Sequence, residues 1–160
     1  MQIIRNVFPQ NLVDFIREDI KKYSWSLQGK SAIEQGPAFW YRDLENSECK
    51  NIFKEKIAYH LKKDIKIDRI YMNGQAHGQC GFWHLDARGL NKFSFIYFIH
   101  EWKPEYAGHF MIKINNEVHS VLPEFNKGIL FDSNLQHMAL SPSRYCLTQR
   151  ESIAIKFSLL

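Results

Sequence analysis

Residues 66–77 read KIDRIYMNGQAH, and at this point the spacing of apolar residues changes to a period of two. Six further segments of this kind follow between turn residues: 92–100, 108–115, 117–122, 128–133, 135–140 and 151–159. Asn115-Asn116 predicts a tight hairpin between two of them, because asparagine tolerates positive φ. We therefore expect β-strands throughout residues 66–160.

The chain before this region has the spacing of amphipathic helices. Apolar residues recur every three or four positions over residues 10–23 and again over 47–63. Gly36, Pro37 and Trp40-Tyr41 predict a loop or short hairpin between them. We expect one domain spanning residues 1–160, with helical support at 1–65 and a core at 66–160. The predicted fold is mainly β: a double-stranded β-helix, or jelly roll, packed against two N-terminal helices.

Composition excludes several classes of protein. Apolar residues make up 45% and charged residues 24% of the 160 positions, which excludes a disordered chain. A net charge of +4 is too small to predict nucleic-acid binding, and no apolar stretch approaches the length of a membrane span. The three cysteines form no CxxC pair, and the N-terminus lacks the pattern of a signal peptide. These features predict a cytoplasmic protein with no membrane partner.

His84-Leu85-Asp86 is the clearest candidate for a metal site. Residues two apart in a strand share a face, so this imidazole and carboxylate are expected to reach one ion. His137 is expected to add the third ligand, near the start of a later strand. Two histidines and one carboxylate leave one side of the metal open, which suits Fe(II). An isolated triplet of this type is also common without a metal, and Cys80 leaves zinc as an alternative.

Arg150-Glu151-Ser152, at the start of the last predicted strand, is a candidate carboxylate site. Arg150 and Ser152 share a face, and a guanidinium with a hydroxyl beside it binds a carboxylate in a bidentate manner. Arg144 is the alternative anchor. We favour Arg150, because it begins a strand of alternating apolar residues whereas Arg144 lies near Pro142 in a predicted loop.

The order His84-x-Asp86, His137, Arg150-x-Ser152 resembles that of the Fe(II)/2-oxoglutarate-dependent dioxygenases. Segments within residues 71–158 resemble the prolyl 4-hydroxylase-like branch: YMNGQAH at 71–77, FIYFIHEW at 95–102 and LFD at 130–132. The resemblance implies that Fe(II) is bound by His84, Asp86 and His137. It also implies that the co-substrate 2-oxoglutarate is bound by Arg150, Ser152 and Tyr71, and that O₂ is consumed.

Two positions depart from the pattern of this branch or leave it open. On the strand after HxD, relatives have a second tyrosine that contacts the co-substrate. The matching position in this chain is Tyr97 or Phe98, and a shift of one residue in the strand register decides between them. Relatives carry Gly-Gly-Glu after the tryptophan, whereas this chain has Ala107-Gly108-His109. Four residues near the predicted site are candidates for substrate contact: Trp83, His77, Arg88 and Trp40.

The resemblance implies a hydroxylase that oxidises a C–H bond of a peptidyl, prolyl-like or amino-acid-like substrate and releases succinate and CO₂. The expected partner is a peptide or a small molecule. Two alternatives remain. One is a demethylase of alkylated nucleic acid, which would use Lys156 as a second basic group on the face of Arg150. The other is a jelly-roll module that binds ligands without catalysis. The sequence leaves the oligomeric state open.

Overall fold

A computed structural model describes residues 1–29 and 37–160 of the chain. Two helices and ten strands are described, in the order β1 (Gln2–Arg5), α1 (Gln10–Lys21), β2 (Ser26–Gly29), β3 (Phe39–Asp43), α2 (Cys49–Leu61), β4 (Ile65–Gln75), β5 (Lys92–Phe98), β6 (Phe110–Ile114), β7 (Glu117–Val121), β8 (Lys127–Asp132), β9 (His137–Ala139) and β10 (Arg150–Leu159). A mainly β chain with two helices before its main strands is therefore confirmed. Among the described residues, no helix has both the length and the apolar character needed to cross a bilayer.

The strands form two sheets. Seven strands pair in the order β1-β8-β5-β10-β4-β3-β2, and three pair in the order β7-β6-β9. Every recorded pair is antiparallel. Asn115 and Asn116 both have positive φ between β6 and β7, at 51° and 66°, which confirms the predicted hairpin.

Three strands lie within residues 1–65, where the sequence predicted at most a short hairpin between the helices. β1 and β2 are the outermost strands of the large sheet, and β3 lies next to β2. Each has only four or five residues, which is too short for an alternating pattern to stand out. β2 and β3 pair as the hairpin expected between the helices, while their connection, including Gly36, lies outside the described residues.

Both helices pack on one face of the large sheet and form its main apolar core. Phe53 and Ile57 of α2 and Ile16 of α1 are buried there against strand residues. The two helices are also joined by a polar contact, because the Asp19 carboxylate accepts a hydrogen bond from the Cys49 backbone N–H at 2.8 Å. The opposite face of the sheet packs on the three-stranded sheet through a second, smaller apolar cluster.

Candidate active site

The two sheets enclose a cavity of about 460 Å³ at one end of this smaller cluster. Its walls come mainly from the paired strands β4 and β10, whose alternate residues point into it. In the register of these strands Gln75 is opposite Arg150, Asn73 opposite Ser152, Tyr71 opposite Ala154 and Arg69 opposite Lys156. All eight of these residues line the cavity.

The predicted metal ligands lie together at this cavity. One ligand atom from each of His84, Asp86 and His137 lies within 4.8 Å of the others. The Nε2 atom of His84 is 3.5 Å from Asp86 Oδ1, and that of His137 is 3.3 Å from Asp86 Oδ2. The basis of the prediction needs correction, since His84 and Asp86 do not lie in a strand. The bridge between His84 and His137 and a hydrogen bond from the Gly81 N–H to the Ala139 carbonyl oxygen at 2.8 Å connect this irregular segment to β9.

Both imidazoles are oriented so that Nε2 is free to bind a metal. The Nδ1 atom of His84 is 2.7 Å from the Phe82 carbonyl oxygen, and that of His137 is 3.0 Å from the Leu135 carbonyl oxygen. A carbonyl oxygen only accepts, so Nδ1 carries the proton and Nε2 presents its lone pair. Burial lowers the pKa of His137 despite the adjacent Asp86 carboxylate, which favours the neutral ring that a metal requires.

Asp86 is an ionised carboxylate held by neighbouring groups. Its side chain is 5% exposed, and Oδ2 accepts a hydrogen bond from Ser94 Oγ at 2.6 Å and another from the Lys156 ammonium. Burial alone would raise the pKa of Asp86, but the Lys156 ammonium holds it well below its usual range. The donor set of two neutral imidazoles and one carboxylate fits a divalent transition metal such as Fe(II).

Arg150 is the largest fully buried side chain of the described residues. Its Nε donates to the Gly108 carbonyl oxygen at 2.6 Å, and one Nη donates to Gln75 Oε1 at 3.0 Å and to Ser152 Oγ at 3.4 Å. The other, Nη2, is buried without a partner among the described residues. Burial lowers the pKa of Arg150 to about 10, so the guanidinium remains charged at neutral pH. A buried cation with one unpaired donor fits an anionic ligand such as a carboxylate.

The sequence left two alternatives open near the proposed co-substrate, Phe98 or Tyr97 and Arg150 or Arg144, and the members of each pair lie in different surroundings. Phe98 packs against the Arg150 guanidinium, with 5.2 Å from Cζ to the ring centroid. Tyr97 points to the helix side, where its hydroxyl donates to Asn126 Oδ1 at 3.1 Å. Arg144 is exposed and does not line the cavity, whereas Arg150 does. Tyr71 also lines the cavity, as expected for a residue that contacts the co-substrate.

The four predicted substrate contacts lie outside the cavity lining: Trp83, His77, Arg88 and Trp40. Trp40 is on the wrong face of β3, because its neighbours Phe39 and Tyr41 point inward and successive residues alternate. The Nδ1 atom of His77 is 3.0 Å from the Pro142 carbonyl oxygen, and Trp83 packs beneath the Lys113 ammonium. Other residues, among them Tyr41 and Arg69, line the cavity instead.

Sequence reasoning missed several residues that shape the site. Ser94 hydrogen-bonds to the Asp86 carboxylate, Gly108 and Gln75 accept hydrogen bonds from Arg150, and Tyr41 and Arg69 line the cavity. Arg69 and Gln75 share the inward parity of Tyr71 on β4, and this signal was present in the sequence. Gly108 contacts Arg150, which lies 42 positions later in the chain, and Ser94 contacts Asp86, which lies eight positions earlier. No sequence pattern links the two residues of either pair.

Comparison with solved structures identifies the architecture. A prolyl hydroxylase from Trichoplax adhaerens, in complex with a peptide of the hypoxia inducible factor oxygen degradation domain, matches with a TM-score of 0.75 at 12% identity, covering 98% of this chain and 82% of that one. A Pseudomonas putida prolyl-4-hydroxylase matches with a TM-score of 0.68 at 17% identity, covering 98% and 91%. The chain has the fold of these oxygenases.

A third neighbour has a different kind of ligand. HygX from Streptomyces hygroscopicus, with nickel, 2-oxoglutarate and hygromycin B bound, matches with a TM-score of 0.69 at 9% identity, covering 98% of this chain and 81% of that one. No protein-family model and no curated protein sequence matches the chain. At these sequence identities the structures are similar in fold only, so the chemistry of this chain must be inferred from the residues that line its cavity.

Proposed function

We propose that the protein is an Fe(II)- and 2-oxoglutarate-dependent hydroxylase built on a double-stranded β-helix. One observation carries this proposal. A single cavity is lined by two imidazoles whose Nε2 atoms face one carboxylate, and by a buried guanidinium with an unpaired Nη2. The first group suits Fe(II), and the second suits the far carboxylate of a keto acid.

Each residue has a definable role in this proposal. His84, Asp86 and His137 would hold the metal, while Arg150, Ser152 and Tyr71 would hold 2-oxoglutarate. When bound, Fe(II) and 2-oxoglutarate together supply the oxidising power that inserts one atom of O₂ into a substrate C–H bond, with release of succinate and CO₂. Lys156 and Ser94 keep the Asp86 carboxylate ionised and oriented. The apolar residues Ile96 and Phe110 of the cavity wall limit the access of water.

The proposed substrate is a peptidyl, prolyl-like or amino-acid-like molecule. Support comes from the neighbours, which include a prolyl hydroxylase in complex with a peptide and a protein with a small antibiotic bound. The cavity volume of about 460 Å³ falls in the range of small-molecule sites. Such a volume is compatible with the co-substrate together with one side chain or one small molecule.

Succinate formation tests the reaction. We expect the Fe(II)-loaded protein to convert 2-oxoglutarate to succinate slowly in the absence of substrate, and His84→Ala to abolish this. His119→Ala is the matched control, because His119 lies on β7, is 42% exposed and does not line the cavity. Equal succinate formation by wild type and His84→Ala would contradict the proposal.

Metal binding provides a second measurement that does not depend on turnover. Co(II) titration should show one site in the wild type and in His119→Ala, but a much weaker one in His84→Ala. Co(II) binding without any succinate formation would instead favour the non-catalytic binding module.

A demethylase of alkylated nucleic acid is the second candidate, and the position of Lys156 favours it. This residue lines the cavity on the same strand face as Arg150, as that alternative requires. Product analysis separates the two functions. A gain of one oxygen by a proline-containing peptide or an amino acid supports the hydroxylase, whereas formaldehyde release from methylated DNA supports the demethylase.

A further inference from the structure

Arg69 is a cationic residue of the cavity to which the proposed reaction gives no role. It is opposite Lys156 in the pairing of β4 with β10, and Lys156 contacts the metal ligand Asp86. Arg150 lies at the other end of this pairing, opposite Gln75. Arg69 is therefore at the metal end of the wall, and the proposed anchor of 2-oxoglutarate is at the opposite end.

Two tyrosines fix the orientation of the Arg69 side chain. Its Cζ lies 4.6 Å from the ring centroid of Tyr71 and 5.5 Å from that of Tyr41. Nη2 donates a hydrogen bond to the Tyr41 hydroxyl at 3.2 Å. No ion pair joins Arg69 to a carboxylate within residues 1–29 and 37–160. The result is a guanidinium that is oriented by aromatic rings and whose remaining donors are available to a ligand.

The charge of the cavity favours an anion at this position. Three of the described residues that line it are cationic, namely Arg69, Arg150 and Lys156, and none is acidic. Lys156 is already paired with Asp86. Asp86 and a dianionic keto acid would supply three negative charges against five positive ones from a divalent metal, Lys156, Arg150 and Arg69, so the cavity would keep an excess of two positive charges. The far carboxylate of the keto acid would contact Arg150, whereas Arg69 contacts two tyrosine rings and forms no ion pair among the described residues.

We propose that Arg69 binds the carboxylate of the substrate, and that the substrate is a free amino acid or a closely related small carboxylic acid. The inference rests on the proposed function and narrows its substrate class. A residue inside a peptide carries an amide where a free amino acid carries a carboxylate, so it lacks the charge that Arg69 would bind. A planar guanidinium pairs with a carboxylate through two parallel hydrogen bonds, which also fixes the direction of the ligand.

Ligand-observed NMR tests the inference without turnover. The protein is loaded with Zn(II), which has no redox chemistry, and with 2-oxoglutarate. It is then mixed with a pool of the twenty common amino acids, with a pool of their carboxamides, or with a pool of nucleoside monophosphates. We expect at least one amino acid to bind, and its carboxamide to bind about 10- to 150-fold more weakly, the range for a lost hydrogen bond to a charged group.

Three variants locate the effect at Arg69. Arg69→Gln should weaken binding of the amino acid about as much as the amide substitution does, and Arg69→Lys should restore part of the loss by keeping the charge. Lys66→Gln is the matched control, because Lys66 is an exposed cation on the same strand that does not line the cavity. Thermal unfolding of each variant checks that it is folded.

Several results would overturn the inference: equal binding of the acid and amide pools, equal binding by wild type and Arg69→Gln, binding of nucleotides alone, or no binding from the amino-acid pool. Succinate formation by the Fe(II)-loaded wild type, measured in parallel, tests the proposed function separately from the role of Arg69. If succinate forms while no amino acid binds, only the assignment of Arg69 fails. If no succinate forms, the proposed function fails.

Discussion

The two faces of strand β10 carry different chemistry. Ile153, Ile155 and Phe157 point to the helices and are buried in the main core. The alternate residues point into the cavity: Arg150, Ser152, Ala154 and Lys156. The first face is apolar except for Glu151 at its start, and the other carries two cations and a hydroxyl. Since side chains alternate along a strand, a single ten-residue segment both stabilises the fold and forms the proposed site.

The same division occurs on β4, where Ile70 and Met72 are fully buried on the helix side and Tyr71 and Asn73 line the cavity. Residues that stabilise the fold and residues that line the cavity therefore alternate along the same strands and do not occupy separate segments of the chain. Burial of apolar side chains stabilises the fold, whereas burial of Arg150 costs free energy unless a ligand or hydrogen bonds offset it. Substitutions on the two faces should therefore affect different measurements.

The largest effect on stability is expected from Phe157→Ala on the helix side of β10. Phe157 is 1% exposed and stacks on Phe93 with 5.8 Å between ring centroids. Its truncation should lower the free energy of unfolding by about 3–5 kcal/mol, through lost transfer energy and the resulting cavity. Urea denaturation followed by circular dichroism measures this change.

Ser152→Ala, on the cavity side of the same strand, is the matched control. It should change the free energy of unfolding by no more than about 1.5 kcal/mol, the net value of a typical hydrogen bond. A loss in Ser152→Ala as large as that in Phe157→Ala would show that the cavity face also carries the stability of the fold, and the division by parity would be wrong.

Arg150→Met should affect the binding of 2-oxoglutarate more than the stability of the fold. Removing one partner of a buried charged pair should weaken binding of 2-oxoglutarate by about 2–5 kcal/mol. The free energy of unfolding should change by less than in Phe157→Ala, because loss of the hydrogen bonds to Gly108 and Gln75 is offset by removal of a buried cation with an unpaired Nη2. Calorimetric titration of the Zn(II)-loaded protein with 2-oxoglutarate gives the first quantity, and urea denaturation gives the second.

Equal affinity of wild type and Arg150→Met for 2-oxoglutarate would exclude Arg150 as the anchor. Arg144→Met provides the comparison, since Arg144 was the alternative in the sequence and is exposed in the structure. It should leave both quantities unchanged.

Local patterns predicted most of the fold and part of the site. Both helices and every strand after residue 65 are close to the predicted bounds, because each has enough residues to show its period. The HxD and RxS triplets likewise place their side chains at the cavity. The short strand β1 was missed, since its partner β8 lies far along the chain, and β2 and β3 were expected only as a loop or short hairpin.

Proximity to His84 in the sequence did not predict which residues line the cavity. Trp83 is adjacent to His84 but packs under Lys113, whereas Arg69 is 15 positions before His84 and faces the cavity. Residues 81–87 are held by hydrogen bonds to β9 and to Ser133 outside any strand, so no strand period predicts which way their side chains point. Parity along β4, counted from Tyr71, would have placed Arg69 among the residues that line the cavity.

Ser94→Ala should have a smaller effect than Arg150→Met, because it removes a group that contacts the metal ligand and not the metal. Ser94 Oγ donates to Asp86 Oδ2 at 2.6 Å. Loss of such a hydrogen bond should lower the affinity for Co(II) by about 10- to 100-fold. Ser120→Ala, at an exposed position of β7, is the control and should leave Co(II) affinity unchanged. Unchanged affinity in Ser94→Ala would mean that Lys156 alone orients Asp86.

The smallest expected effect concerns Gly108, the residue that accepts the hydrogen bond from Arg150 Nε. Gly108 has φ of +72°, and a Cβ there would lie 2.9 Å from Arg150 Cδ. Gly78 has a similar φ of +86° but has open space around its Cβ position. Alanine at either position should lower the free energy of unfolding by about 1–2 kcal/mol, the cost of the left-handed conformation.

Only Gly108→Ala should also displace the Arg150 side chain and weaken binding of 2-oxoglutarate, because only its Cβ would contact the guanidinium stem. Calorimetric titration of both Zn(II)-loaded variants measures the difference. Equal 2-oxoglutarate affinity in the two variants would show that Arg150 adjusts without loss of function, and that the close approach of Gly108 matters only for the backbone. A selective loss in Gly108→Ala would establish that a backbone position 42 residues away in sequence sets the position of the co-substrate anchor.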